Sequence, residues 1–275
     1  AAAVRVFEIL DEEPSISDPD DPVPLGPIEG RVEFDNVRFT YPAGEGDAVL
    51  DGLSFTIEAG ETIALVGATG SGKSTIARLL PRFYDVDSGS VRVDGHDVRT
   101  LKVTELRTAV SQVTDDPFLF ATSVHNNVAF ARPDCDDATV SAAIDDAAAT
   151  DFVADLPLGV ETEIGERGLT LSGGQRQRLA IARTLVADPV VLVLDDATSA
   201  IDVAVEERIH NALERRRANR TTILIAHRLS TIALADRVIL IEDGKVSASG
   251  RHHDLLASNA RYAAILADAT NDGDR

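Results

Sequence analysis

Three short segments of this 275-residue chain carry residue types whose spacing has chemical meaning. Gly67-Ala68-Thr69-Gly70-Ser71-Gly72-Lys73-Ser74-Thr75 fits the pattern G-x-x-x-x-G-K-[ST]. Its glycines let successive backbone N–H groups turn inward on phosphate oxygens without a Cβ clash. Lys73 is then placed to reach the β- and γ-phosphates, and the Ser74 hydroxyl to hold Mg²⁺. At a glycine frequency of about 7%, a chance match in this length is on the order of one in a hundred. Val191-Leu192-Val193-Leu194-Asp195 is four apolar residues ending in a carboxylate. In a parallel sheet that carboxylate emerges at the edge where the phosphate loop also lies, as a Mg²⁺ partner. Leu171-Ser172-Gly173-Gly174-Gln175 precedes a helical stretch and offers a second anion-binding helix end. One nucleotide does not need two such ends from one subunit, so two chains are expected to face each other, each completing the other's site.

The elements that must position these segments are legible as patterns. Val32, Phe34, Val37 and Phe39 predict an extended segment, and Val49 to Ile57 another. Thr62 to Val66, the loop, and the apolar-periodic Ile76 to Phe83 read as strand, loop, helix. Ser90 to Val93 before Asp94-Gly95 reads as strand and turn. Phe120 to Leu185 reads as mostly helical, broken at the glycine-rich Gly159 to Gly174. Val190 to Leu194 and Thr221 to Ala226 are runs typical of parallel strands buried on both faces. Val238 to Ile241 and Lys245 to Ala248 form a pair around Asp243-Gly244. Residues 11–30 hold five prolines and many acids, as a linker does. Ala1 to Leu10 reads as a helix end, which leads us to expect a preceding segment.

Composition narrows the classes further. Apolar residues at 44% and charged residues at 26% describe a globular chain, and no run of about 18 apolar residues suggests a membrane span. No secretory signal pattern opens the chain. The single cysteine, Cys135, excludes an internal disulfide and a cysteine-based zinc site. His252-His253 reads as a solvated helix start, as do Arg215-Arg216-Arg217 and Asp145-Asp146 as solvated surface. A net charge of −20 argues against nucleic acid as a partner. Only Lys73, Lys102 and Lys245 are lysines. Such an acidic, lysine-poor composition resembles that of proteins from halophilic archaea, where molar salt screens self-repulsion.

The loop, the Leu171 to Gln175 segment and Val191 to Asp195 together resemble the nucleotide-binding domain of ATP-binding cassette (ABC) transporters, over nearly the whole chain. Tyr41, after Phe39-Thr40, is similar to the aromatic that stacks on adenine. Thr162 to Gly168 resembles the exporter-type loop facing the membrane domain, and Ser199-Ala200-Ile201-Asp202 the dimer-interface loop. Ile225 to Ser230 resembles the segment bearing a catalytic histidine, here His227. Ala3 to Asp11 resembles the end of the last transmembrane helix. The resemblance implies an α/β fold with a P-loop NTPase core of mainly parallel sheet, an antiparallel β portion, and a helical subdomain at about 120–188 within a domain spanning 31–275. It implies ATP and Mg²⁺ as ligands, a second nucleotide-binding domain and an N-terminal transmembrane domain as partners, and a place at the cytoplasmic face of the membrane. A soluble cassette ATPase of DNA repair or translation would need a coiled-coil insertion or a second cassette, and neither is present.

Two positions depart from the family. Asp196 stands where a water-polarising glutamate is usual, one methylene shorter and so about 1.5 Å further back. A misplacement of ~1 Å can cost ~100-fold in rate. Counting from Leu106-Arg107 and from Phe120 places Asp115 where the family has a Mg²⁺-contacting glutamine. The alternative, Gln112, lies three residues out of register. Both departures fall on the water side of this chain's own nucleotide, whereas the donor motif Leu171 to Gln175 is intact. This pattern resembles the impaired-site subunit of heterodimeric exporters. It favours a heterodimer over a homodimer and leaves open a subunit that binds ATP with little turnover.

Overall fold

The computed structural model describes residues 5, 7, 11, 14–42, 46–165, 171–216, 220–226 and 228–272. Among the described residues ten strands form two sheets. Strands β1 (Val32–Phe39), β2 (Leu50–Ile57), β4 (Ser88–Val93) and β5 (His96–Asp97) make an antiparallel sheet in the order β2-β1-β4-β5. The larger sheet has the order β10-β9-β3-β8-β7-β6. Here β3 (Thr62–Val66), β6 (Val110–Val113), β7 (Val191–Asp195), β8 (Thr221–Ile225) and β9 (Arg237–Glu242) run parallel, and β10 (Lys245–Gly250) is antiparallel at one edge. The mainly parallel core with an antiparallel portion is therefore the expected α/β architecture.

Residue types account for the difference between the sheets. Strand β1 alternates buried Val32 and Phe34 with more exposed neighbours, so one face meets a core and the other solvent. Strands β3, β7 and β8 are apolar almost throughout, because both faces are covered. Alternation in the large sheet sorts side chains into two cores. Ile63, Leu65, Val191, Val193, Ile223 and Ile225 face the antiparallel sheet and helix α1 (Lys73–Leu79). Ala64, Val66, Leu192, Leu194 and Leu224 face the helical side.

The helices that follow are α2 (Val103–Ala109), α3 (Val124–Val128), α4 (Asp137–Asp146), α5 (Thr150–Ala154), α6 (Gly173–Ala187), α7 (Val203–Arg216), α8 (Leu229–Ile232), α9 (His252–Ser258) and α10 (Ala260–Asp272). Their starts are written in the sequence. Ser123 accepts from the Asn126 amide, and Asp136 from the Thr139 amide. The helices between 124 and 187 pack around α6, which shares a core with α4 through Val140, Ala143, Ile144, Leu179 and Ile181.

Two expectations need adjustment. The helix after the loop begins at Lys73 and ends at Leu79, so Phe83 lies beyond it and is 45% exposed. The short strand β6 has no counterpart in the sequence pattern, because four residues of mixed polarity carry too little period. The proline-rich stretch wraps the domain: Leu25 is buried, and Val23 bridges Leu101. Arg5 and Phe7 are helical, while most of Ala1 to Leu10, Glu166 to Thr170 and His227 lie outside the described residues. Among the described residues no helix is long and apolar enough to cross a membrane.

Candidate functional site

Strand β3 ends at Val66, and the chain turns through Gly67 to Gly72 into α1. The glycines are required by contacts as well as dihedrals. A Cβ on Gly67 would stand 2.2 Å from the Ile241 carbonyl oxygen, and one on Gly72 2.6 Å from a Leu50 methyl. Gly70 and Gly72 have φ of 83° and 104°, in the left-handed region that favours glycine. Ala68 accepts from the Ser71 amide at 3.1 Å, and Thr69 sits at the exposed crest. Lys73 Nζ donates to the carbonyls of Gly67 (2.8 Å) and Ala68 (3.0 Å). Burial depresses the Lys73 pKa, and the Asp196 and Asp195 carboxylates oppose that shift.

The loop fits a polyphosphate on an independent observation. Ser71 Oγ is buried and has no hydrogen-bond partner within the protein. The N-terminus of α1 has no side-chain cap. Both are unmet donors of the kind that phosphate oxygens satisfy.

Asp195 is the last residue of β7 and is 9% exposed. Its Oδ1 accepts from the Ser74 hydroxyl at 3.1 Å. Burial pushes the Asp195 pKa up; the Ser74 hydrogen bond opposes this, and the charges of Asp196 and Asp115 raise it further. Three acidic residues thus share one neighbourhood, an arrangement relieved by a divalent cation. Among the described residues no three His, Cys, Asp or Glu side chains converge as a metal cage. Mg²⁺ commonly takes one or two protein oxygens and completes its shell with waters and substrate phosphates. Ser74 and Asp195 are a pair of that kind.

Asp115 follows the end of β6 and lies close enough to Asp195 to act on its ionisation. Gln112 lies within β6, in register with Val193, and lines a cavity of about 300 Å³ with Phe83, Arg107 and Arg183. Asp196 has φ of 49°, donates its amide to the Ile225 carbonyl at 2.9 Å, and accepts from the Ser199 amide at 3.1 Å. This turn directs the chain out of the sheet immediately beyond Asp195.

Tyr41 is fixed beside the loop. Its hydroxyl is 3.0 Å from Thr75 Oγ1 and accepts from Arg78 at 3.2 Å. Its ring meets Phe39 and Tyr84 edge to face, with centroids 4.9 and 5.2 Å apart.

The second helix end is built by its own residues. Ser172 and Gln175 form a reciprocal capping box at the start of α6, while Leu171 is buried beneath it. Gly173 and Gly174 lie between them. A Cβ on Gly174 would stand 2.6 Å from the Ala200 carbonyl oxygen, so this helix start packs directly on the Ser199 to Asp202 loop. Asp202 caps α7 through the Val205 amide at 3.0 Å.

Sequence reasoning missed what holds that loop. Gln177, 2% exposed, donates to the Asp115 carbonyl (2.8 Å) and to Ser199 Oγ (2.9 Å), and accepts from the Ala200 amide (3.0 Å). From the other side Arg228 donates to the carbonyls of Ile201 (2.6 Å) and Ser199 (2.7 Å). Buried Glu206 accepts from the hydroxyls of Thr198 and Thr231. Polar residues in a helix interior give no periodic signal, so only tertiary contact reveals them. His252 is likewise half-buried and bonded to the Tyr262 hydroxyl at 2.7 Å, so it is not the solvated residue expected.

A phosphate loop, an adjoining carboxylate cluster and a separate capped glycine helix end define an ATP-binding cassette. The ABC transporter family model matches residues 50–199, and the chain belongs to that family. It is 46% identical over 266 residues to an ATP-dependent lipid A-core flippase of Methylobacillus flagellatus, covering 96% of this chain and 45% of that protein. It is 43% identical over 272 residues to human ATP-binding cassette sub-family B member 5, covering 96% of this chain and 21% of that one. A solved bacterial Atm1-family ABC exporter with ATP bound superposes with a TM-score of 0.90 at 43% identity, over 96% of this chain and 46% of that one. The chain therefore spans less than half the length of these relatives. It is a nucleotide-binding domain of the ABC family, similar to those of exporters.

Proposed function

We propose that this chain powers export of a substrate through a transmembrane domain, on the cytoplasmic side of a membrane, by ATP-driven pairing with a second nucleotide-binding domain. The carrying observation is that one chain holds both a phosphate loop and a distant Ser172–Gly174 helix end, with Ser172 exposed and both glycines half-buried, each half of a site. In the pair, Gly67 to Thr75 bind the triphosphate of one nucleotide, and Tyr41 lies against its adenine. The partner's copy of Leu171 to Gln175 covers the other side. Ser199 and Asp202 lie at the interface. Ser74 and Asp195 hold Mg²⁺, with Asp115 beside them; the ion supplies charge neutralisation at the phosphates. Asp196 accepts a proton from the attacking water, and His227 completes the water side.

The same reading assigns a docking face for the transmembrane domain. Phe83, Phe118, Phe120 and Phe130 are 37–56% exposed. Arg183 holds three of them, donating to the Phe118 carbonyl at 3.0 Å and lying over the Phe120 and Phe130 rings. An exposed aromatic cluster on a rigid base fits a protein partner. Residues 1–30 lead to that domain as helix end and linker.

The short Asp196 carboxylate and the Asp115 carboxylate beside Asp195 support a heterodimer in which this chain's own site is the slower one. The test is phosphate release by wild type, Asp196→Glu, Asp115→Gln and the double variant, at several protein concentrations, with Lys73→Ala as the nucleotide-binding control. Wild type is expected below the ~1–10³ s⁻¹ usual for enzymes, and the double variant at least about tenfold faster, ~1.4 kcal/mol of barrier. Ordinary wild-type turnover with no gain in the double variant would favour the homodimer. Turnover indifferent to Lys73→Ala would sink the ATPase reading itself.

A further inference from the structure

The interior of α6 carries a residue that no nucleotide contact requires. Gln177 is five residues beyond Ser172, faces the protein and is 2% exposed. Its carboxamide is committed in both senses: Nε2 donates to the Asp115 carbonyl and to Ser199 Oγ, and Oε1 accepts from the Ala200 amide. The orientation follows from the partners, since a carbonyl on one side accepts only and an amide on the other donates only. Asp115 follows β6, whereas Ser199 and Ala200 belong to the turn after β7, whose Ser199 amide bonds the Asp196 carbonyl at 3.1 Å. One side chain thus ties together the two segments that carry the water-side acids. It does so from the helix whose first turn is the Ser172–Gly174 end.

We infer that Gln177 is a positioning residue for ATP hydrolysis, which fixes Asp115 and the Asp196 turn to the Ser172–Gly174 helix end. This inference rests on the reading of the chain as one half of a paired ATPase. Mechanically, α6 is a rigid body of fifteen residues. Occupation of its exposed end by the partner's nucleotide is therefore felt, through one buried carboxamide, at this chain's own acids. Two segments from different strands cannot then shift independently, because moving either breaks a buried hydrogen bond.

The test uses the full-length protein and the variants Gln177→Leu, which removes all three bonds, and Gln177→Glu, which keeps an acceptor for Ala200 but sets a carboxylate against the Asp115 carbonyl. The phosphate loop is untouched in both. We expect kcat to fall at least tenfold, with ATP affinity and KM within about threefold of wild type. Rates are normalised to molecules competent to bind ATP, so that misfolded protein does not count. Ser199→Ala should cost several-fold alone and less than twofold in the Gln177→Leu background, because the bond is already gone. A wild-type kcat per competent molecule in both variants, even with a lowered melting temperature, would make Gln177 a core residue only and overturn the inference. Equal losses of affinity and rate would overturn it too. Absence of Lys73-dependent turnover in the wild type would instead remove the underlying ATPase reading.

Discussion

Asp195 shows at the scale of one residue how function and stability oppose each other. A buried carboxylate beside two further acids is held above its ordinary pKa of 3.8, first by burial and then by the Asp196 and Asp115 charges. The folded state therefore binds this proton more tightly than the unfolded chain does. The resulting penalty is absent below pH 3.8, grows as pH rises through the folded pKa, and is complete above it. Asp195→Asn keeps an acceptor for the Ser74 hydroxyl and removes the charge. It is expected to raise the melting temperature by about 2–4 °C at neutral pH without nucleotide, corresponding to about 1 kcal/mol. That gain should shrink to nothing near pH 4, and Mg²⁺-dependent nucleotide affinity should be lost. Thermal melts of both proteins from pH 4 to 8 check it; a lower melting temperature for the variant at neutral pH would contradict the penalty. Lys73 carries the complementary lesson. Its ammonium is satisfied by the Gly67 and Ala68 carbonyls, so the charge that compensates phosphate is already in place at the loop.

Among the elements, the start of α6 separates packing from recognition within two adjacent glycines. Gly174 abuts the Ala200 backbone at 2.6 Å for an added Cβ, whereas at Gly173 the nearest atom is the Ala200 methyl at an ordinary 3.4 Å. Gly174→Ala is expected to destabilise by about 1–3 kcal/mol, the usual cost of overpacking. Gly173→Ala should leave stability within about 0.5 kcal/mol, since the half-buried position meets only the Ala200 methyl at ordinary contact distance. Under the paired-ATPase reading it should nonetheless lower turnover at least about tenfold, or ~1.4 kcal/mol of barrier, because a methyl group stands where the partner's phosphate approaches. Urea melts and phosphate release on both variants decide this; equal stability of the two would contradict the packing assignment. This element also marks how far sequence reading carries. The Ser172 to Gln175 pattern, the Thr62 to Val66 strand and the loop are local signals, fixed by capping and by period, and they stand where their residues put them. Strand β6, Gln177 and Glu206 are meaningful only against partners that range from 8 to 81 positions away, so residue periodicity does not display them. Asp115 and Gln112 differ in place: Gln112 pairs with Val193 inside β6, whereas Asp115 follows the strand's end, a distinction that residue type alone does not show.

For the whole molecule the dominant quantity is the net charge of −20. Arginines neutralise acids locally, as in the Arg237–Glu61 pair at 2.6 Å and the Arg82–Asp85 pair at 2.8 Å, but acids outnumber bases 46 to 26. The excess must therefore remain as a field over the surface. Salt shortens the range of that field from about 10 Å at 0.1 M to about 3 Å at 1 M. The melting temperature is expected to rise with KCl up to molar concentration, and most steeply at the low end, where the screening length changes fastest. A gain from preferential exclusion would instead grow steadily with concentration and be larger for sulfate than for chloride. ATP is itself an anion, so its association rate with this chain should also rise with salt, the reverse of an electrostatically steered encounter between opposite charges. Melts in KCl and K₂SO₄ at matched ionic strength, together with stopped-flow binding of a fluorescent ATP analogue, measure both effects on the same protein. A melting temperature that is flat or falls between low and molar KCl would show that self-repulsion is not what limits this fold. An association rate that falls with salt would show that the local field at Lys73 outweighs the charge of the molecule.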